Sequence, residues 1–112
     1  MKRFYVPDRG DIVWIEFNPQ LGHEQANRRP ALVLSPKSYN DRTSLCLICP
    51  MTSKIKNYPF EVLISSGRYP SVVLSDQIKS LDWKARGAVF KSKVDPVILM
   101  DVVAKLSVLI SN

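Results

Sequence analysis

The sequence predicts a mainly β fold, a small curled antiparallel barrel with one helix at its C-terminal end. Three observations carry that prediction. Short runs rich in β-branched and aromatic residues, roughly five to seven of them, are separated by turn-forming residues. Helical spacing of apolar residues appears in one segment only, after Asp95. The chain has 112 residues and is 46% hydrophobic, which suits one packed domain over residues 1–112.

The elements follow in order. Gly10 and Asp11 form a turn, and Asp11-Ile12-Val13-Trp14-Ile15-Glu16-Phe17 has the composition of a strand, stopped by Asn18-Pro19. A polar stretch from Gln20 to Arg29 is predicted as a loop. Ala31 to Leu34 is the next strand, entered after Pro30. Ser35 to Ser44 is a second polar loop. Leu45 to Cys49 is a third strand, ended by Pro50, and Thr52 to Asn57 is a loop. Tyr58 to Ile64 and Val72 to Ser75 are strands around a Ser65–Pro70 turn. Gln77 to Leu81 continues extended, and Gly87 to Phe90 is a short last strand.

Asp95 is a good N-cap and Pro96 fits the first helical position. Leu99, Val102, Val103, Leu106, Leu109 and Ile110 then recur as an apolar stripe that must pack on the sheet. Asp101 and Lys105 form a favourable pair on the other side. The pattern alone does not choose between an SH3-like barrel and an OB-fold.

Charge narrows the partner. Sixteen Lys and Arg face ten Asp and Glu, a formal +6. Arg28, Arg29, Lys37, Arg42, Lys54 and Lys56 are opposed over their span only by Asp41, and Lys79 to Lys93 is similarly biased. Scattered lysines serve solubility, but clusters like these suit a polyanion. No stretch is long or apolar enough to span a membrane, and the N-terminus lacks the apolar run of a signal peptide, so the expected compartment is the cytoplasm.

Cys46 and Cys49 form a C-x-x-C with no second ligand pair, since the chain has one histidine and no further cysteine. On a strand such residues face opposite ways, roughly 10 Å apart, too far for a disulfide or a shared metal. The expectation is two packed, reduced thiols and no metal or other cofactor.

The chemistry concentrates in Glu24-Gln25-Ala26-Asn27-Arg28-Arg29-Pro30 and Pro50-Met51-Thr52-Ser53. RNA can be cut with its own 2′-hydroxyl as nucleophile. Glu24 is the candidate general base, although a solvated loop carboxylate is the plainer alternative. Arg29 is the candidate phosphate clamp, since its guanidinium offers a planar fork of donors. A guanidinium is a poor proton donor near neutral pH, so electrostatic stabilisation suits it better than general acid catalysis. Thr52 and Ser53 can donate to phosphate oxygens or simply cap the turn after Pro50. His23, as the sole histidine, rules out a two-histidine mechanism within one chain. The acids are scattered, without metal-ligand spacing. Phe17, Tyr39 and Tyr58 can stack bases or pack the core.

These segments resemble the MazF family of bacterial toxin endoribonucleases, also called MazF/PemK or Kid. Tyr5-Val6-Pro7-Asp8-Arg9-Gly10-Asp11-Ile12-Val13-Trp14 is similar to the family's opening. Gly22-His23-Glu24-Gln25 and Arg29-Pro30-Ala31-Leu32-Val33-Leu34-Ser35 match its most specific motif, G-x-E-Q followed by R-P-x-x-V-L-S. Tyr58 to Val62 and Leu74 to Arg86 match later segments, so the resemblance spans nearly the whole chain. It implies an SH3-like barrel with a C-terminal helix, of the type shared with gyrase-poisoning toxins, working as a homodimer. It implies metal-independent, sequence-specific cleavage of single-stranded RNA, leaving 2′,3′-cyclic phosphate and 5′-hydroxyl ends. It puts the base at Glu24, the catalytic arginine at Arg29 and the phosphate-contacting threonine at Thr52. RNA contacts would fall at Phe17, Gln25, Ser53, Lys56, Gln77 and Lys79. It also implies a MazE-like antitoxin with an acidic, disordered tail, which the +6 charge fits. The gyrase-poisoning relatives carry a Trp-Gly-Ile type tail, whereas this chain ends Leu109-Ile110-Ser111-Asn112. A non-catalytic RNA-binding module is the other alternative.

Overall fold

The computed structural model describes residues 4–17, 28–65 and 68–111. Among the described residues, seven strands and two helices run β1 (Asp11–Glu16), β2 (Arg28–Val33), α1 (Lys37–Thr43), β3 (Leu45–Thr52), β4 (Glu61–Ile64), β5 (Ser71–Leu74), β6 (Lys79–Asp82), β7 (Val89–Lys93) and α2 (Pro96–Ile110). The strands form one antiparallel sheet in the order β4-β5-β3-β2-β1-β7, with β6 added to β3. The sheet is curled into a half-barrel, the mainly β fold expected.

Strand β3 organises the sheet. One edge pairs with β2, through Ala31↔Pro50, Leu32↔Cys49 and Val33↔Ile48. The other edge is shared. Leu45 to Ile48 pair with β6, and Met51 and Thr52 pair with β5. Cys49 and Pro50 lie at the switch between the two partners, a position that tolerates a residue without an N–H.

Both faces of the central strands are buried, so their sequences read as near-continuous apolar runs rather than as alternation. Ile12, Leu32, Cys49, Met51, Val62, Ile64 and Val73 pack on one side, with Val102 and Leu106 of α2. Val13, Ile15, Ala31, Val33, Cys46, Ile48, Leu81 and Trp83 pack on the other. The two cysteines therefore sit in opposite clusters as free thiols. Burial pushes both thiols up to about 12, so they stay protonated and inert near neutral pH.

Strand β3 runs past Pro50, predicted as its end, to Thr52, because Pro50 pairs with Ala31 while Met51 and Thr52 pair with Val73 and Val72. Four further boundaries differ from the sequence prediction. Residues Lys37–Thr43 form a helix where a loop was expected. The helix lacks a side-chain cap and acidic residues in its first turn, so local signals are weak. Burial of Asn40 compensates. Its amide donates to the carbonyls of Pro7 (2.8 Å) and Ser35 (3.0 Å), and its side-chain oxygen accepts from Ser35 Oγ (2.6 Å). The Trp83 indole donates to its backbone carbonyl (2.8 Å). Second, β2 begins at Arg28 rather than Ala31, because Arg28, Arg29 and Pro30 pair with Glu16, Ile15 and Trp14. Third, β4 begins at Glu61, three residues after Tyr58, because Tyr58 to Phe60 turn instead of extending. Fourth, β7 reaches Lys93, since its pairing with β1 runs on to Asp11.

Helix α2 starts as predicted, with the Asp95 carboxylate accepting the Val97 N–H at 2.9 Å and Pro96 at its first turn. Its stripe is only partly covered. Val102 and Leu106 are buried, but Val103 is 41% and Ile110 73% exposed, and Leu109 is exposed as well. The sheet reaches only the middle of the helix. Among the described residues, no helix is long and apolar enough to cross a membrane.

Candidate functional site

The split of β3 between two partners creates a polar groove. Where the chain leaves β5 and re-enters the sheet as β6, the turn around Asp76 and Gln77 stands beside the end of β3. The segment after Thr52 forms the opposite wall. The groove holds about 610 Å³ and is lined by Arg29, Thr52, Lys54, Lys56, Tyr58 and Gln77 among others.

Strand register brings Arg29 and Thr52 to the same groove. Continuing the Ala31↔Pro50 pairing by two residues puts Arg29 opposite Thr52, on the same face of adjacent strands. Both line the groove. The Thr52 hydroxyl accepts the Lys54 N–H at 3.1 Å. It thus caps the turn and still has its own proton to donate.

Neighbouring arginines take different roles because strand side chains alternate. Arg28 donates to the Gly87 carbonyl at 2.7 Å and reaches the Trp14 carbonyl at 3.5 Å, which ties β2 to the turn before β7. Arg29 is exposed, with its guanidinium 5.7 Å from the centre of the Phe17 ring. Phe17 is fixed in turn. Arg86 donates to its carbonyl at 2.7 Å and to that of Glu16 at 3.3 Å.

Two carboxylates also line the groove, Glu61 and Asp76. The Tyr58 hydroxyl donates to Asp76, and this bond raises its pKa above the ordinary tyrosine value. Tyr58 therefore remains a neutral phenol.

Of the residues singled out from sequence, Arg29, Thr52, Lys56 and Gln77 converge on this groove, and Phe17 joins them through Arg29. Ser53 is exposed one residue beyond Thr52, and Lys79 is exposed at the start of β6; neither lines the groove. Tyr39 lies on α1, away from the lining, whereas Tyr58 is part of it. Glu24, Gln25 and His23 lie outside the described residues. Lys54, Asn57, Glu61 and Asp76 are lining residues not singled out for the site. Lys54 had a signal in the basic cluster, whereas acids in a groove of cations had none.

The family model for PemK-like, MazF-like toxins of type II toxin–antitoxin systems matches residues 8–110. The chain belongs to this family. It is 51% identical over 106 residues to the endoribonuclease toxin MazF of Escherichia coli K12, covering 95% of this chain and 96% of that protein. A crystal structure of MazF from Deinococcus radiodurans superposes with a TM-score of 0.84 at 49% identity, covering 96% of this chain and 98% of that one. MazF in a MazE–MazF structure from the same organism gives 0.85 at 43% identity, again covering 96% and 98%. The curled sheet with its C-terminal helix is thus the MazF toxin fold.

Proposed function

We propose that this family member is the toxin of a type II toxin–antitoxin pair and acts in the cytoplasm as a sequence-specific, metal-independent endoribonuclease. Its substrate is single-stranded RNA, left with 2′,3′-cyclic phosphate and 5′-hydroxyl ends. The observation that carries this reading is the convergence of Arg29 and Thr52 on one groove that also presents Lys54 and Lys56.

Glu24, in the segment joining β1 to β2, takes the proton from the 2′-hydroxyl. The 2′-oxygen bonds to phosphorus, the bond to the 5′-oxygen breaks, and that oxygen takes a proton from water. Arg29 holds the phosphoryl oxygens with parallel donors as their charge rises. Thr52 donates its free hydroxyl proton to a further oxygen. Lys56 and Gln77 bind along the groove, and Phe17, Gln25, Ser53 and Lys79 extend the contact. Phe17 supports Arg29 by stacking, a geometry a lysine would not reproduce.

The natural inhibitor is a MazE-like antitoxin whose acidic tail folds onto this groove, a pairing supported by the MazE–MazF complexes of the Deinococcus relative. The protein works as a homodimer, a reading supported by an exposed apolar surface. An apolar groove of about 640 Å³ lies between α2 and the sheet, lined by Leu34, Leu47, Leu99, Met100, Val103 and Ile110 among others.

The test is incubation of the purified protein with mixed-sequence RNA in excess chelator, with every new end sequenced and chemically typed. Cuts at one short motif with cyclic-phosphate ends are expected. Intact RNA, with the protein folded and free of antitoxin, would overturn the reading and favour a gyrase-binding or silent RNA-binding role.

A further inference from the structure

A groove for a polyanion should exclude negative charge, yet Glu61 and Asp76 both line it. Among the described residues neither carboxylate is in an ion pair. Both are engaged with the segment that forms one wall.

Glu61 accepts the backbone N–H of Lys56 into its two oxygens, at 3.2 and 3.1 Å, and the N–H of Tyr58 at 3.3 Å. Asn57, between them, has φ +57°, so the chain curls around the carboxylate. Alternating amides turned inward by one left-handed residue make an anion-binding concavity, here filled from within the chain. The Glu61 N–H donates back to the Tyr58 carbonyl at 2.9 Å. Tyr58 then reaches across the groove to Asp76. Residues 53–60 lie outside the strands, and these bonds hold the wall together with the Thr52–Lys54 contact and the Ser75 N–H and hydroxyl, both donating to the Phe60 carbonyl.

We propose that Glu61 is a positioning residue for RNA cleavage: its carboxylate organises the Lys56–Tyr58 backbone into the groove wall, and Asp76 fixes the rim through Tyr58. Lys56 then meets the RNA from a preset place instead of being ordered during binding. The inference rests on the nuclease reading for its consequence, but its structural content can be measured without cleavage.

The experiment separates charge from position by sign. Glu61→Gln removes a negative charge at nearly constant shape. Electrostatics alone makes this variant bind nucleic acid more tightly. Positioning makes it bind more weakly and cut more slowly, with kcat/KM down roughly ten- to a hundredfold. Single-stranded DNA, which lacks the 2′-hydroxyl, is the uncleaved probe for affinity. Amide exchange at Lys56 and Tyr58 reports the wall directly and should accelerate while the β3 amides stay protected. Tyr58→Phe, which keeps the ring and the Glu61 bonds, should show a smaller loss in the same direction. Tighter DNA binding by Glu61→Gln, or unchanged exchange at Lys56 and Tyr58, would overturn the inference. A wild-type protein that leaves RNA intact would instead sink the nuclease reading, with exchange and DNA binding still deciding the role of Glu61.

Discussion

Arg29→Ala separates the two roles an exposed arginine on a strand can have, because its structural contribution can be bounded. Arg29 is exposed, and its guanidinium, 5.7 Å from the Phe17 ring centre, makes its one aromatic contact among the described residues. A cation–π contact at an exposed site contributes about 0.5–1 kcal/mol. For a chain of this size that corresponds to a fall in Tm of roughly 2–6 °C. Loss of an electrostatic donor aimed at developing charge costs about 10²–10³-fold in rate. The expected result is therefore a nearly normal melt with cleavage reduced at least about a hundredfold. Arg29→Lys should fall between, since it keeps the charge but loses the fork and the stacking. The assay is single-turnover cleavage of one RNA containing the recognised motif, beside thermal melting of the same preparations. Cleavage by Arg29→Ala within a few-fold of wild type would refute the clamp. A melt lowered by far more than 6 °C would show that the stacking estimate missed a structural role.

Other outcomes follow from the same geometry. Cys46 and Cys49 ordinarily titrate near 9.0 and are pushed up to about 12 by burial. Between those values the unfolded chain releases protons that the folded chain keeps, so stability falls as pH rises, by roughly 1.4 kcal/mol per pH unit for each thiol. Denaturant midpoints measured from pH 8 to 11 should decline, and the decline should flatten in Cys46→Ala/Cys49→Ala; an equal slope in both proteins would refute this. Asn40→Ala leaves two buried carbonyls without their donor and should cost about 2–4 kcal/mol in urea unfolding, with cleavage by the folded protein retained. Val103→Asp, on the exposed side of α2, should convert a dimer to a monomer in light scattering; an unchanged mass would place the dimer contact elsewhere. Glu24→Gln should flatten the acid limb of the rate–pH profile, and an unaltered limb would assign the base to another group.

The sheet was legible because its core strands carry a strong local signal. Val13, Ile15, Leu32 and Val33 are β-branched or bulky and fully buried, and local preference and tertiary demand agree there. The opposite facing of Cys46 and Cys49 followed from strand period alone. Helix α1 was hidden, because Pro36 through Thr43 lacks both a cap and an apolar stripe, and what holds it is the long-range contact of Asn40 with Pro7 and Trp83. The full exposure pattern of α2 was hidden for a related reason. Its sequence gives the apolar stripe but not how far the sheet extends beneath it. In the groove, Arg29 and Thr52 were legible through motif and chemistry. Glu61 and Asp76 were not, since a carboxylate that accepts backbone amides has no sequence mark separating it from a solvated one.

The division of β3 between two partners has a mechanical consequence. The β4–β5 hairpin pairs in register with β3 through Met51 and Thr52, whereas β6 pairs with it through four residues. The hairpin thus joins the sheet by a short backbone seam, backed by the packing of Val62, Ile64 and Val73 against α2, and the groove lies beside that seam. A displacement of the hairpin along this seam would change the width of the cleft, whereas Arg29 is anchored on the sheet by the ladder to β1.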